Sequence, residues 1–284
     1  MSELGNSPAP AVISLQDPVP QLLRDLVHER LGLFFDADRL DLMIEKIEPR
    51  ARALNCPSYL DYYYILKYDE KGADEWRRLM DAFSVQETYF WREFDQIRVL
   101  IDRVVPQWFA RHSRPLRIWS AACASGEEPY TIAMALRDSM WSFHPVEIIA
   151  SDSSELALER ARSGRFRERS FRSLPIEVRE RYFRRDGDER VLDPAITSAV
   201  KFHWANLMDL AAFAETATID VIFCRNVFIY FSPASIRRVT DAFAERLLPG
   251  HTLFIGASES LLKLTNQFDL ENINGAFAYV RNSR

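Results

Sequence analysis

The run from Arg117 to Leu136, RIWSAACASGEEPYTIAMAL, joins a short apolar segment to a turn of small residues and two adjacent carboxylates. It reads as a strand, a tight connection and a helix, with Pro129 suited to the first helical turn. In an open α/β sheet the ligand crevice lies at the carboxyl ends of such strands. Ala121, Ala122, Ala124, Ser125 and Gly126 leave room for a ligand to approach the backbone, and Gly126 supplies a conformation that other residues resist. The pattern is neither the G-x-G-x-x-G fingerprint of dinucleotide sites nor the G-x-x-x-x-G-K-[ST] phosphate loop. Glu127 and Glu128 would repel a pyrophosphate but could hold the ammonium of an amino-acid-bearing cofactor.

About 25 residues further on, VEIIASD ends on Asp152, where a carboxylate can accept hydrogen bonds from both hydroxyls of a ribose. Its alternative role is to cap the helix that opens with SSELALERA. A ribose, a cation and no phosphate together describe S-adenosylmethionine.

The elements that must carry this site follow from periodicity. Short apolar runs, LRIWSA, VEIIAS, IDVIFC and HTLFIGA, alternate with helical stretches, which predicts βαβ units and a largely parallel sheet, ending near GAFAYVR. One helix is expected ahead of them, from Arg92 to Arg111. Between Arg165 and Asn206 both periods weaken, and an inserted β-subdomain over 165–205 is expected there, with a hairpin at Asp186, Gly187 and Asp188.

Upstream the pattern is helical. Leu22, Leu23, Leu26, Val27 and Leu31 predict a first helix ending at Gly32. Leu40, Ile44, Ile47, Ala51 and Leu54 form the stripe of a second, which Pro49 should kink or split near Glu48. Two more helices, Ser58–Tyr68 and Ala73–Phe83, complete an all-α domain over 18–84, after a flexible tail over 1–17. SVQE then leads into the α/β domain over 85–284.

The formal charge of −5 argues against a general nucleic-acid binder. No run approaches the roughly 20 apolar residues of a spanning helix, so no membrane insertion and a cytoplasmic location are expected. Cys56, Cys123 and Cys224 are far apart, with no C-x-x-C pair, and read as reduced thiols without a metal.

Five motifs in order resemble those of the CheR family of chemotaxis receptor methyltransferases: VQETYFWRE, CASGEEPYT, NLM, FCRNVFIYF and GASESL. The resemblance covers the chain from about residue 20. It implies an all-α N-terminal domain followed by a Rossmann-like class I methyltransferase domain of α/β class with a small β-subdomain. It further implies transfer of a methyl group from S-adenosylmethionine to glutamate carboxylates on the cytoplasmic methylation helices of chemoreceptors, leaving S-adenosylhomocysteine. Carried over motif by motif, cofactor contacts fall on Thr88, Arg92, Glu127, Asp152, Asn206, Leu207, Asn226 and Val227. Gln86 stands where the family has asparagine, with an amide that reaches one methylene further.

Simpler roles stand beside these. Thr88 and Gln86 could cap a helix, Arg92 could form a surface ion pair, and Asn226 could satisfy a turn. Arg92 and Tyr230 are the candidates for orienting the incoming glutamate, because a guanidinium grips a carboxylate with two hydrogen bonds and a phenol adds one. Lys46, Arg50 and Arg52 are the candidates for a basic helical face that meets the receptor. Some members hold a pentapeptide at the receptor C-terminus with the β-subdomain. The stretch after Phe183 is shorter here, and no such tether is expected. The cofactor fold does not choose the acceptor, so another acceptor, or a receptor-binding scaffold without turnover, stays open from the residues alone.

Overall fold

Spacing of apolar residues at three and four positions builds four helices in the first unit. Helix α1 (Val19–Leu31) buries Leu23, Val27 and Leu31 and ends at Gly32, whose left-handed backbone turns its N–H back to the His28 carbonyl. Helix α2 (Leu40–Ala53) buries Leu40, Met43, Ile47 and Ala51. It runs through Pro49 as one helix, so of the expected kink or split the split does not occur. Pro49 and Glu45, whose carbonyl loses its partner, both lie on the exposed side, where water can substitute for the missing donor.

Ser58 caps α3 (Tyr59–Tyr68) by accepting the Asp61 N–H, and α4 (Gly72–Phe83) follows. A Cβ at Gly72 would stand 2.8 Å from the Ile65 carbonyl oxygen, so glycine permits the close turn between α3 and α4. The computed structural model describes residues 18–213, 216, 218–273 and 275–283, and the chain forms two compact units that meet in sequence at Phe83 and Ser84. The expected tail over 1–17 lies outside the described residues.

In the second unit, helix α5 (Phe94–Val99) passes through a π turn (Leu100–Val104) into α6 (Val105–Phe109). The expected helix from Arg92 starts later because Trp91 and Glu93 take positive φ, 67° and 48°. The π turn, in which the Val105 N–H reaches the Leu100 carbonyl, falls just before Pro106, which has no N–H to continue the ladder.

The main sheet begins with β1 (Leu116–Ala121), helix α7 (Glu127–Arg137), β2 (Val146–Asp152) and α8 (Glu155–Ser163). A small antiparallel sheet comes next: β3 (Arg165–Arg167), α9 (Ile176–Tyr182), β4 (Phe183–Asp186) and β5 (Glu189–Leu192), in the order β3-β5-β4. The β4–β5 hairpin pairs Asp186 with Glu189 across Gly187 and Asp188, the turn that the sequence suggested. After α10 (Pro194–Thr197) the chain returns to the main sheet as β6 (Val200–Trp204), in parallel register with β2, so this part of 165–205 is main-sheet strand and not insert. Then come β7 (Ile219–Cys224), α11 (Pro233–Arg246), β8 (Leu247–Ile255), β9 (Phe268–Ile273) and β10 (Ala276–Arg281).

The seven strands lie in the order β6-β2-β1-β7-β8-β10-β9, parallel except for β10, which runs antiparallel to β8 and β9. Alternate residues of β1 feed opposite cores: Leu116 and Ile118 pack on one face with Tyr130 and Ile132, while Trp119 and Ala121 pack on the other with Phe243. That double burial explains why the strand reads as continuously apolar. No helix among the described residues is long and apolar enough to cross a membrane.

Candidate active site

Strand β1 has β2 on one side and β7 on the other, all parallel; the chain goes from β1 to β2 and on to β6 on one side, then crosses back to β7 on the other. This is a switch point, where the carboxyl ends of adjacent strands open a crevice. The turn after β1 is bent by Ala122, Ala124 and Gly126, all with positive φ (59°, 47° and 93°). Asp152 at the end of β2 holds this turn, accepting the Ala124 N–H at 2.8 Å and the Ser154 N–H at 2.9 Å. The helix cap that Asp152 could have supplied is made by Ser154, which accepts the Ala157 N–H. Gly126 serves packing more than ligand access: a Cβ there would lie 2.9 Å from the Ala161 Cβ and 3.1 Å from the Tyr130 ring.

Glu127 opens α7, at the end of the helix where a negative charge is favoured. It is 2 % exposed, and its carboxylate accepts the Ser125 hydroxyl at 2.7 Å and the Ser170 hydroxyl at 2.9 Å. Burial raises its pKa, against the pull of those two hydroxyls and of Arg169. Ser170 comes from the insert, which is fastened by Phe90: its N–H bonds the Ser170 carbonyl, and its ring lies 4.8, 5.5 and 5.0 Å from those of Phe166, Phe171 and Phe183. The insert therefore completes the surroundings of Glu127.

Glu128 is not available to a ligand in the same way. It accepts the Ser120 hydroxyl at 2.6 Å and Arg225 Nε at 2.5 Å, and the Arg225 side chain is only 2 % exposed. Arg225 also donates to the Glu93 carbonyl and to Gln96 Oε1, both at 3.3 Å. A buried guanidinium thus ties β7, α7 and the 93–96 turn together, with its charge met by Glu128. Of the carboxylate pair that the sequence offered to an ammonium, Glu128 is paired with an arginine and Glu127 is held by serine hydroxyls.

On the other side, the Ala205 N–H bonds the Asp152 carbonyl at 3.0 Å, which brings Asn206 and Leu207 beside the end of β2. Asn206 caps the short turn that follows through Met208, and Leu207 is buried. Gln86 uses its longer side chain to reach α8: its oxygen accepts Arg160 Nη1 at 2.5 Å, and its nitrogen stands 3.5 Å from the Ser154 hydroxyl. Arg92 is turned onto its own loop, with Nη1 2.8 Å from the Glu87 carbonyl and its guanidinium 5.5 Å from the Tyr89 ring. Thr88 lies part-buried on that loop.

At the end of β7, Asn226 has positive φ, 60°, and donates its side-chain amide to Glu93 at 3.2 Å. Val227 packs on the core, and Tyr230 is 38 % exposed and makes no hydrogen bond to Arg92 among the described residues. Glu93, Gln96, Arg225 and Glu259 were not singled out from sequence, though all but Gln96 stand inside the quoted motifs. The available signal was a charge within an otherwise apolar or small-residue run.

In the first unit, Lys46 is exposed, and Arg52 is exposed with a 2.5 Å ion pair to Glu48. Arg50 departs from the expected basic face. Its guanidinium donates twice to Glu75, at 2.9 and 2.6 Å, and Glu75 is 3 % exposed and also accepts the Tyr62 hydroxyl at 2.7 Å.

The crevice is bordered by acceptors, Glu127, Asp152 and the Asn206 and Asn226 amides, and Arg225, the one arginine buried among the described residues, is already neutralised. Such a set of acceptors fits a cation and ribose hydroxyls and does not fit a pyrophosphate.

Comparison with known proteins bears on the same residues. The family profile described as CheR methyltransferase, SAM binding domain, matches residues 86–277, and that of the CheR methyltransferase all-alpha domain matches 21–84. The chain is 34 % identical over 265 residues to Chemotaxis protein methyltransferase 2 of Vibrio cholerae, covering 91 % of each. It is 38 % identical over 206 residues to the Chemotaxis protein methyltransferase of Vibrio parahaemolyticus, covering 70 % of this chain and 74 % of that one. It is 30 % identical over 269 residues to that of Escherichia coli K12, covering 91 % and 90 %.

Proposed function

We propose that this chain, which belongs to the CheR methyltransferase family, esterifies glutamate side chains on the cytoplasmic methylation helices of bacterial chemoreceptors and so tunes chemosensory adaptation. That it is an S-adenosylmethionine-dependent methyltransferase follows from the family. The observation that supports the acceptor is similarity to chemotaxis protein methyltransferases across nine-tenths of the chain, through both units.

When bound, S-adenosylmethionine supplies a methyl group already activated on a sulfonium. A glutamate is ionised at neutral pH, with a reference pKa of about 4.3, so no general base is required. The protein's work is to orient the reacting groups in line and exclude water. Glu127 would hold the ammonium and Asp152 the ribose, by exchanging or sharing the hydrogen bonds they now accept. Asn206, Leu207, Asn226 and Val227 would line the base and methionine portions, with Thr88 and Gln86 supporting from the preceding loop. Arg92 and Tyr230 orient the acceptor carboxylate; Arg92 must leave the Glu87 carbonyl to do so. Lys46 and Arg52 steer the receptor, and the two-residue β4–β5 turn goes with a protein that does not tether the receptor C-terminus.

The test is transfer of radiolabelled methyl groups from S-adenosylmethionine to membranes carrying the host's chemoreceptors, followed by alkali. Label that enters the receptor and leaves as methanol in base is the expected result. Cofactor binding with no base-labile receptor label would mean another acceptor. Arg92→Ala and Tyr230→Phe are each expected to lower turnover with cofactor affinity little changed, and normal turnover in both would remove their roles.

A further inference from the structure

Asn226 occupies a left-handed backbone conformation, which asparagine adopts more readily than other residues with a side chain, and its loop is held on two sides. Two carboxylates hold it. Glu259, from the loop after β8, accepts the N–H groups of Asn226 at 3.0 Å, Phe228 at 2.7 Å and Ile229 at 3.3 Å, and that of Gly256 in its own loop at 2.6 Å. Glu93 accepts the Asn226 side-chain amide at 3.2 Å and the Ala257 N–H at 3.1 Å. The two loops touch so closely that a Cβ on Gly256 would stand 2.6 Å from Asn226 Nδ2 and 2.9 Å from Asn226 N. Four backbone donors converging on one carboxylate make an anion site whose occupant is the protein's own side chain.

The geometry points to Glu259, assisted by Glu93, as a positioning residue for methyl transfer: it sets the backbone of 226–229 and thereby aims Asn226, Val227 and the adjoining Tyr230 at the crevice beside β1. This rests on the reading of that crevice as the cofactor site. The charge is what matters here. Glu259→Gln keeps the volume but turns an N–H₂ toward converging N–H donors, which a neutral amide cannot satisfy together. Glu93→Gln removes the arm with fewer donors and leaves Glu259 in place.

The experiment combines amide hydrogen exchange of the protein without cofactor, calorimetry with S-adenosylhomocysteine, and steady-state kinetics. For Glu259→Gln, exchange at 226–229 should rise about tenfold or more while exchange in β1 and β2 stays the same. The S-adenosylhomocysteine Kd should rise about tenfold and kcat should fall up to about a hundredfold, as expected for a misplaced site loop. Glu93→Gln should shift the same quantities in the same direction, by about threefold. If Glu259→Gln does not fold, Glu93→Gln alone decides. Unchanged exchange, or faster exchange with unchanged affinity and kcat, would reduce the clamp to a fold contact and overturn the proposal. A wild-type protein that fails to bind S-adenosylhomocysteine would remove the premise, which is a separate result.

Discussion

Glu127→Gln separates two effects that act on one buried carboxylate. In the protein without cofactor, burial raises the pKa of Glu127, so holding the charged carboxylate there costs the fold stability. The sign follows from linkage. A carboxyl whose pKa is higher folded than unfolded contributes stability that is full below the unfolded value and lost as pH rises through the folded one. Glutamine keeps the volume and can still bond both hydroxyls, because Ser125 and Ser170 can each donate or accept. The melting temperature at neutral pH should therefore be unchanged or higher, and the acid-side dependence due to this group should vanish.

Binding should move the other way. Losing a charge-assisted bond to the cofactor's ammonium costs about 1.5–3 kcal/mol, or roughly 10- to 150-fold in Kd. Calorimetry with S-adenosylhomocysteine measures this, and methylthioadenosine, which lacks the amino-acid portion, is the control whose affinity should not change. Wild-type affinity for S-adenosylhomocysteine should also begin to fall above the usual carboxylate range on acidification, and the variant should lack that limb. Equal losses for both ligands would mean that Glu127 supports the loop and not the ammonium. A large drop in melting temperature would refute the desolvation reasoning.

Arg50→Ala should destabilise the helical unit by about 3 kcal/mol in urea unfolding, because it leaves buried Glu75 without its guanidinium. Reversing Lys46 and Arg52 to glutamate together should change stability by less than about 1 kcal/mol and slow receptor methylation mainly at low salt. Gly126→Ala should cost about 1–3 kcal/mol in thermal unfolding, from its φ of 93° and the contact with Ala161. Thiol titration should find one reagent-accessible group, half-buried Cys56, with Cys123 and Cys224 reacting only on unfolding, since burial both covers them and raises their pKa well above that of a free thiol.

Several of these features are legible in the order of the amino acids. The apolar period of 22–31 and of 40–54, the alternation of LRIWSA, VEIIAS and IDVIFC with helices, and the Gly187–Asp188 turn are local properties, set by neighbours within a few residues. The placement of Glu127 and Asp152 at successive strand ends is legible for the same reason, because strand order along the chain implies a shared edge. Local pattern also misleads in identifiable places. Pro49 does not split α2, because whether a lost hydrogen bond matters depends on which side of the helix faces solvent. Val200–Trp204 is too mixed in polarity to announce a strand, since an edge position next to β2 buries it only in part.

Which charges are spent inside the protein is a question of partners distant in sequence, and no local pattern contains the answer. Arg50 has the spacing of a basic surface residue, yet Glu75 and Tyr62, 25 and 12 positions away in the chain, close around it. Glu128 matches Glu127 in the sequence, yet Arg225 from the end of β7, 97 residues on, neutralises one and leaves the other with serine hydroxyls. Residue type and period determined the helices, the strands and the edge at which the site lies. Folding determined which carboxylates an arginine neutralises and which are held by neutral donors, because a charge taken out of water must find its partner in three dimensions.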